Sequence, residues 1–189
     1  MTTPPHSAYA EAVRRAVEDH DEWDSPHYFM TLHWDAEQQL LAPRTVVCIM
    51  PDISPEKYHT IMARAAWKQR TEYPSDPPAY GYLLQFEGFT VEAPSQGADL
   101  DEQRRYDADR RNRTFHRRAD AVETCIAMCA GIHGNTWVAV KRRGHPGIEE
   151  CTYRPGHAPV GQFFASLLGI AYATGMLDHG LPRPQSQYN

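Results

Sequence analysis

Lysine is scarce in this chain: three lysines stand against sixteen arginines in 189 residues. Such a bias accompanies GC-rich coding sequence, so a single arginine carries less functional weight here than usual. Cysteine is sparse too. Four cysteines fall far short of a disulfide scaffold and fit a reducing compartment. The opening stretch "MTTPPHSAYAEAVRR" has no apolar centre of the kind a signal peptide needs. A cytoplasmic location is therefore expected. The chain also lacks a Walker loop, a Gly-rich dinucleotide fingerprint and a nucleophile elbow. Ten histidines invite a metal reading, with Cys125, Cys129, Cys151, His133, His145 and His157 in the second half. No familiar zinc spacing connects them, and Cys125 and Cys129 sit in an apolar run that reads as core. Neither a metal nor a cofactor is expected.

What is present describes a globular protein. Hydrophobic residues make up 41% and charged residues 23%, a balance able to build one core of ordinary size. The net charge of −5 is unevenly spread, with nine acids against three bases in residues 1–53. That sign disfavours bulk attraction to nucleic acid or to an anionic membrane.

Ser7 is placed to cap a first helix running to about His20, with Tyr9, Val13 and Val17 forming its apolar stripe. "HYFMTLHW" alternates as a strand, with Tyr28, Met30, Leu32 and Trp34 on one face and Phe29, Thr31 and His33 on the other. After the turn "DAEQQ", "RTVVCIM" reads as a more uniformly buried strand. "SPEKYHTIMARAAWKQR" reads as a helix capped by Ser54, and "YPSDPP" as a hard break. "AYGYLLQFEGFTVE" is the longest strand candidate. Residues 121–131 read as the first arm of a hairpin about "HGN". A helix over the same residues competes, because Asp120 and Glu123 have capping-box spacing. A last helix is expected over about 159–176. The whole predicts a single α+β domain over residues 1–182 with a largely antiparallel sheet, three main helices and a charged excursion at 99–120. Residues 183–189 form a Pro-rich tail.

Three features could carry function. "RRYDADRRNRTFHRR", residues 104–118, holds seven arginines. Acids precede arginines at i, i+4 (Asp101 and Arg105, Asp107 and Arg111, Asp109 and Arg113), as in a solvated, salt-bridged helix. The less neutralised end offers Arg113, Phe115, His116, Arg117 and Arg118 as a grip for an anionic partner such as nucleic acid. The second feature is polar residues on strands. Glu87 lies midway along an apolar strand beside Gln85, and Thr31 and His33 form a similar pair. If the two strands adjoin, a His33–Glu87 acid–base pair flanked by Thr31 and Gln85 could serve a hydrolase of a small phosphate-containing substrate. The simpler account is a solvent-facing side of the sheet. The third is "APVGQFFASLLGIAYATGML", twenty residues without a charge. Its Gly161, Ala165, Gly169 and Ala173 recur every four residues, a ridge that would let the helix lie close to another backbone, in the centre of the fold or between copies in a homo-oligomer.

The segments "SPHYFMTLHWD", "PPAYGYLLQFEGFTVE" and "IHGNTWVAVKRRG" resemble small uncharacterised proteins of actinobacteria and their phages. That resemblance implies a phage or mobile-element accessory protein and transfers no catalytic residue. Together with the missing catalytic signatures, it makes a non-catalytic interaction protein the leading expectation, with the hydrolase and the nucleic-acid binder as alternatives.

Overall fold

The computed structural model describes residues 3–50, 53, 55–73, 76–95, 97–112, 114–157 and 162–182. In chain order its elements are α1 (His6–Glu18), β1 (His27–Asp35), β2 (Leu40–Ile49), α2 (Pro55–Glu72), β3 (Gly81–Thr90) and α3 (Leu100–Asn112). A 3-10 turn at Phe115–Arg117 follows, then β4 (Val122–Gly131), β5 (Thr136–Arg142), β6 (Ile148–Tyr153) and α4 (Gln162–His179). The strands form one sheet in the order β2-β1-β3-β4-β5-β6, and every neighbouring pair is antiparallel. The expected α+β domain with an antiparallel sheet is therefore present. The described residues contain four α-helices, one more than the three main helices expected, because the charged segment itself coils into α3.

The alternation along β1 and β3 sends side chains to both faces of the sheet, and both faces are covered. On one side lies α1, whose Tyr9, Val13 and Val17 pack with Met30, Leu32, Leu83, Cys125, Cys129 and Trp137. The Tyr9 ring stacks on Trp137 at 4.3 Å between centroids, and its hydroxyl donates to the Tyr80 carbonyl at 2.9 Å. On the other side α2 and α4 pack together over Phe29, Tyr82, Leu84 and Met128, contributing Tyr58, Met62, Leu167 and Ile170. Phe29, Leu32, Leu83, Leu84, Met62 and Leu167 are among the largest fully buried side chains. Each contributes about 1.5–3 kcal/mol through burial, so the two clusters together clamp the sheet as the middle of three layers. The solvent-facing side proposed for Gln85 and Glu87 does not exist; α1 occupies it.

Local departures from the sequence reading have local causes. Ser7 lies inside α1, whose N-cap is Pro5 with no side-chain capping bond. The Ser54 cap falls outside the described residues. β2 begins at Leu40 rather than at Arg44, and it is an edge strand with an exposed middle. An edge position accommodates Pro43, which has no N–H for the ladder. The β1–β2 turn is held by Asp35, whose Oδ1 accepts from the Glu37 and Gln38 amides at 2.9 and 3.0 Å.

Residues 122–131 are strand, not helix, and hairpin with β5. Gly134 at the turn has φ +86°, and a Cβ there would collide with the Tyr172 hydroxyl on α4. Hairpin tip and final helix are thus fitted to a side-chain-free backbone. Gly134→Ala should cost at least about 2 kcal/mol from left-handed strain plus overpacking, read as a lower midpoint in urea unfolding with an unchanged slope.

Candidate functional site

The pairing of β1 with β3 decides which polar residues meet. Tyr28 opposes Gln85, Met30 opposes Leu83, and Thr31 opposes Tyr82. Thr31 and His33 therefore share a face with Tyr82 and Leu84 under α2 and α4. Gln85 and Glu87 project on the other side, toward α1. The strands do adjoin, yet odd positions of β1 face even positions of β3. The His33–Glu87 acid–base pair is overturned: the sheet lies between the two side chains.

Glu87 instead clasps the segment after α1. Its Oε2 accepts from the Asp24 amide at 2.8 Å, and Oε1 accepts from the Ser25 amide and hydroxyl at 3.1 Å each. His20 Nε2 stands 2.9 Å from the same Oε1. Gln85 donates from Nε2 to the Ala16 carbonyl at 2.8 Å and lies 3.2 Å from His20 Nδ1. Asp24, Glu87 and Glu123 bring carboxylate oxygens within 4.8 Å of one another. Arg143 balances that charge, with Nη1 2.5 Å from Glu123 and its guanidinium over the Trp23 ring. Asp24 holds φ at 67°, a left-handed conformation that costs energy for a non-glycine residue. The clasp offsets that strain. The group is a structural latch, already supplied with donors.

The other polar pair opens into a cavity. Thr31, His33, Ala66, Gln69, Arg70, Thr71, Tyr73, Asp76, Pro77, Pro78, Ala79, Tyr82, Leu177 and Asp178 line a pocket of about 610 Å³. It lies where the C-terminal ends of α2 and α4 meet the end of β1 and the Pro-rich segment before β3. His33 Nδ1 is 2.9 Å from the Pro77 carbonyl, which can only accept, so the proton sits on Nδ1. Nε2 then accepts the Thr31 hydroxyl at 2.8 Å. Burial, aided by the nearby Arg44 cation, holds the His33 pKa below its ordinary 6.5, so this neutral tautomer prevails at pH 7. Tyr82 shares a 2.7 Å hydrogen bond with Thr174, and burial raises its pKa. Arg70 Nε donates to Asp178 Oδ1 at 2.6 Å, joining α2 to α4 across the mouth. Gln69 buries its Oε1 without a hydrogen-bond donor.

Of the residues singled out in the sequence, Thr31 and His33 line this pocket, and Gln85 and Glu87 do not. Gln69, Arg70, Asp76 and Asp178 were missed. They come from two helix ends and a loop more than a hundred residues apart in sequence, with no shared spacing. One signal was available: "YPSDPP" presents the Pro77 carbonyl, and Pro78 after it has no amide hydrogen to compete for acceptors.

The Arg-rich segment is less open than its composition suggests. α3 has no buried residue, and among the described residues its ion pairs run at i, i+3: Asp101 with Arg104 and Asp107 with Arg110; the expected Asp109–Arg113 pair falls outside the described residues. Arg118 is not free for a partner. It lies 3.6 Å from Asp109 and 2.7 Å from Asp120. Phe115 packs against Tyr106 at 5.2 Å between centroids and is half-buried. His116 and Arg117 remain exposed, and Arg113 falls outside the described residues.

α4 is not a central helix. Phe164, Leu167, Ile170, Ala171 and Thr174 are buried, whereas Ala165 and Gly169 face solvent, Ala173 is half-buried, and Gly161 falls outside the described residues. Among the described residues no helix is long and apolar enough to cross a membrane. Family models, curated proteins and solved structures offer no match to the chain.

Two measurements follow from this geometry. Glu87→Gln should lose about 1–3 kcal/mol of stability, because an amide N–H₂ must then face a backbone donor. Unfolding in urea measures the loss, and an unchanged midpoint would remove the latch. The depressed His33 pKa means that the unfolded chain binds a proton more readily. Stability from His33 is therefore full above pH 6.5 and declines as pH falls through the folded pKa. The melting temperature should drop below pH 6.5, and His33→Gln should flatten part of that slope. His27, which burial depresses in the same direction, adds to that slope.

Proposed function

We propose that the protein is a non-catalytic binding protein that holds a small polar ligand in the pocket between α2, α4 and the end of β1. One observation carries this reading. A cavity of about 610 Å³ falls within the range of small-molecule sites, roughly 300–1,000 Å³, and it joins convergent polar groups to an apolar rim. Ala66, Pro78, Ala79, Tyr73 and Leu177 supply the apolar part, and Tyr73 and Leu177 are more than half exposed. The Thr31–His33–Pro77 relay supplies a fixed polar floor. Both ring nitrogens of His33 are tied up by Thr31 and Pro77, which favours binding over hydrolysis.

A second reading concerns assembly. Ala165 and Gly169 of the small-residue ridge are left uncovered, and a Cβ on Gly169 would meet nothing within 4 Å. That supports a homo-oligomer packed along α4 in preference to a ridge buried within one chain. For residues 99–120 we read a solvated arm and not a polyanion grip, since the acids within it hold several of its arginines.

Binding is tested by NMR titration with a set of aromatic fragments of both charges. Shift changes should gather at Thr31, His33, Gln69 and Asp178, and Thr71→Trp at the exposed lining should abolish them without lowering the melting temperature. Changes scattered over the surface would refute the pocket. Assembly is tested by sedimentation. A Gly169→Leu protein should run as a monomer of unchanged melting temperature where the parent runs as a dimer, and a monomeric parent removes this second reading.

A further inference from the structure

The charges around the pocket cancel. Asp178 pairs with Arg70 at 2.6 Å across the mouth, and Asp76 pairs with Arg44 at 3.3 Å. A ligand of either sign therefore meets a lining without net charge. To find a partner it must draw one member of an existing ion pair away from the other while giving up its own hydration. An uncharged ligand leaves both pairs intact.

The polar groups left open are donors standing beside acceptors. Arg70 engages Asp178 through Nε and Oδ1, so its Nη groups remain open next to the second carboxylate oxygen. Gln69 repeats that arrangement within one side chain. Its Oε1 is buried without a hydrogen-bond partner, an exception in a protein interior, where such an atom lowers stability until it is paired. Among the described residues its amide nitrogen has no partner either. Gln69 lines the cavity, and the terminal torsion of a glutamine is broad, so the carboxamide can turn to present both ends to it. The Tyr73 amide donates to the Gln69 carbonyl at 3.0 Å, which keeps the two residues in helical register and on one face. Tyr73 is 58% exposed and sets an aromatic ring beside the open amide.

From this balance we infer that the ligand is a small uncharged molecule with an amide or lactam edge, a C=O beside an N–H, on a planar apolar body, and that Gln69 selects it. The inference rests on the pocket reading above and narrows it to one chemical class. The ligand N–H donates to Gln69 Oε1, and the Gln69 amide donates to the ligand carbonyl, a paired contact of the kind glutamine makes with the edge of a base. The planar body lies against Tyr73, with Leu177 at the rim. Charged isosteres satisfy only half of this contact. A carboxylate sets a lone pair against Oε1, and an amidine sets an N–H against the Gln69 amide.

Three probes with the same ring separate the possibilities: benzamide, benzoate and benzamidine, each titrated into the full-length protein and followed by NMR. Benzamide should perturb Gln69, Tyr73 and Asp178 and bind roughly fivefold more tightly than either ion, the effect of one neutral hydrogen bond. Gln69→Leu keeps the bulk of the side chain and removes the amide. In that variant the three probes should bind alike to within about twofold, and the urea midpoint should not fall, because an unpaired buried oxygen is gone. Gln69→Glu keeps the shape but offers two acceptors, so it should pass the preference to benzamidine; it covers the case in which Gln69→Leu does not fold. Tighter binding of benzoate or benzamidine to the parent at these same residues, or a benzamide preference that survives both substitutions, would overturn the assignment of class and leave the pocket standing. If none of the three perturbs the lining residues, the pocket reading falls and this inference with it.

Discussion

The register between β1 and β3 is the constraint on which the rest depends. Side chains in a strand alternate with a period of two, so a one-residue slip exchanges every side chain between faces. The pairing of Phe29 with Leu84 and of Met30 with Leu83 sends one apolar set to α1 and another to α2 and α4. Both sets are large and both are covered. A slip would turn Thr31, His33, Gln85 and Glu87 toward the wrong helices and leave several polar groups unpaired at about 1–3 kcal/mol each. Burial on two sides thus fixes the register more firmly than a sheet with one wet face could.

That register gives the polar residues of the two strands different tasks. On the α1 side Glu87 binds backbone, gathering Asp24 and Ser25 and so fixing how the chain passes from α1 into β1. On the opposite side the polar groups bind mostly one another, and a cavity remains beside them. The difference comes from what lies over each pair. The turn at residues 19–26 crosses above Glu87 and supplies amides. Pro77 and Pro78 cross near His33 and, having no amide hydrogens, supply only carbonyls. A histidine beneath an acceptor-only segment must donate to it. Its second nitrogen is then an acceptor, and Thr31 answers that need.

The sequence was legible wherever a local period decided the outcome. The stripe of Tyr9, Val13 and Val17 predicted the buried face of α1, and alternation assigned the faces of β1 and β3 correctly. β4 resolved as strand because Cys125, Ala127 and Cys129 alternate toward α1 while Met128 and Ala130 meet α4. What failed was nonlocal. Two polar pairs on neighbouring strands were expected to meet, but only the register says which faces coincide. β2 looked buried from "VVCI", and its place at the sheet edge exposes Cys48 within that run and Pro43, Arg44 and Thr45 before it. The uncharged run of α4 suggested burial on most sides; Ala165, Gly169, Met176 and Leu177, turned to solvent, carry part of that apolar count without burying it. In the Arg-rich segment Arg118 is engaged, since Asp109 and Asp120 reach it in a way that no helical spacing foretells, while His116 and Arg117 stay exposed.

The pocket is the product of one further nonlocal fact, the way α2 and α4 end. Through their middles the two helices share apolar contacts over the sheet, with Tyr58 against Phe163 at 5.0 Å between centroids. At their C-terminal ends the link is a polar one, Arg70 to Asp178. Long polar side chains span a gap that alanine or leucine would have to close by contact, so the helix ends can stand apart without loss of registration. The same ion pair therefore holds the helices and keeps the space between them.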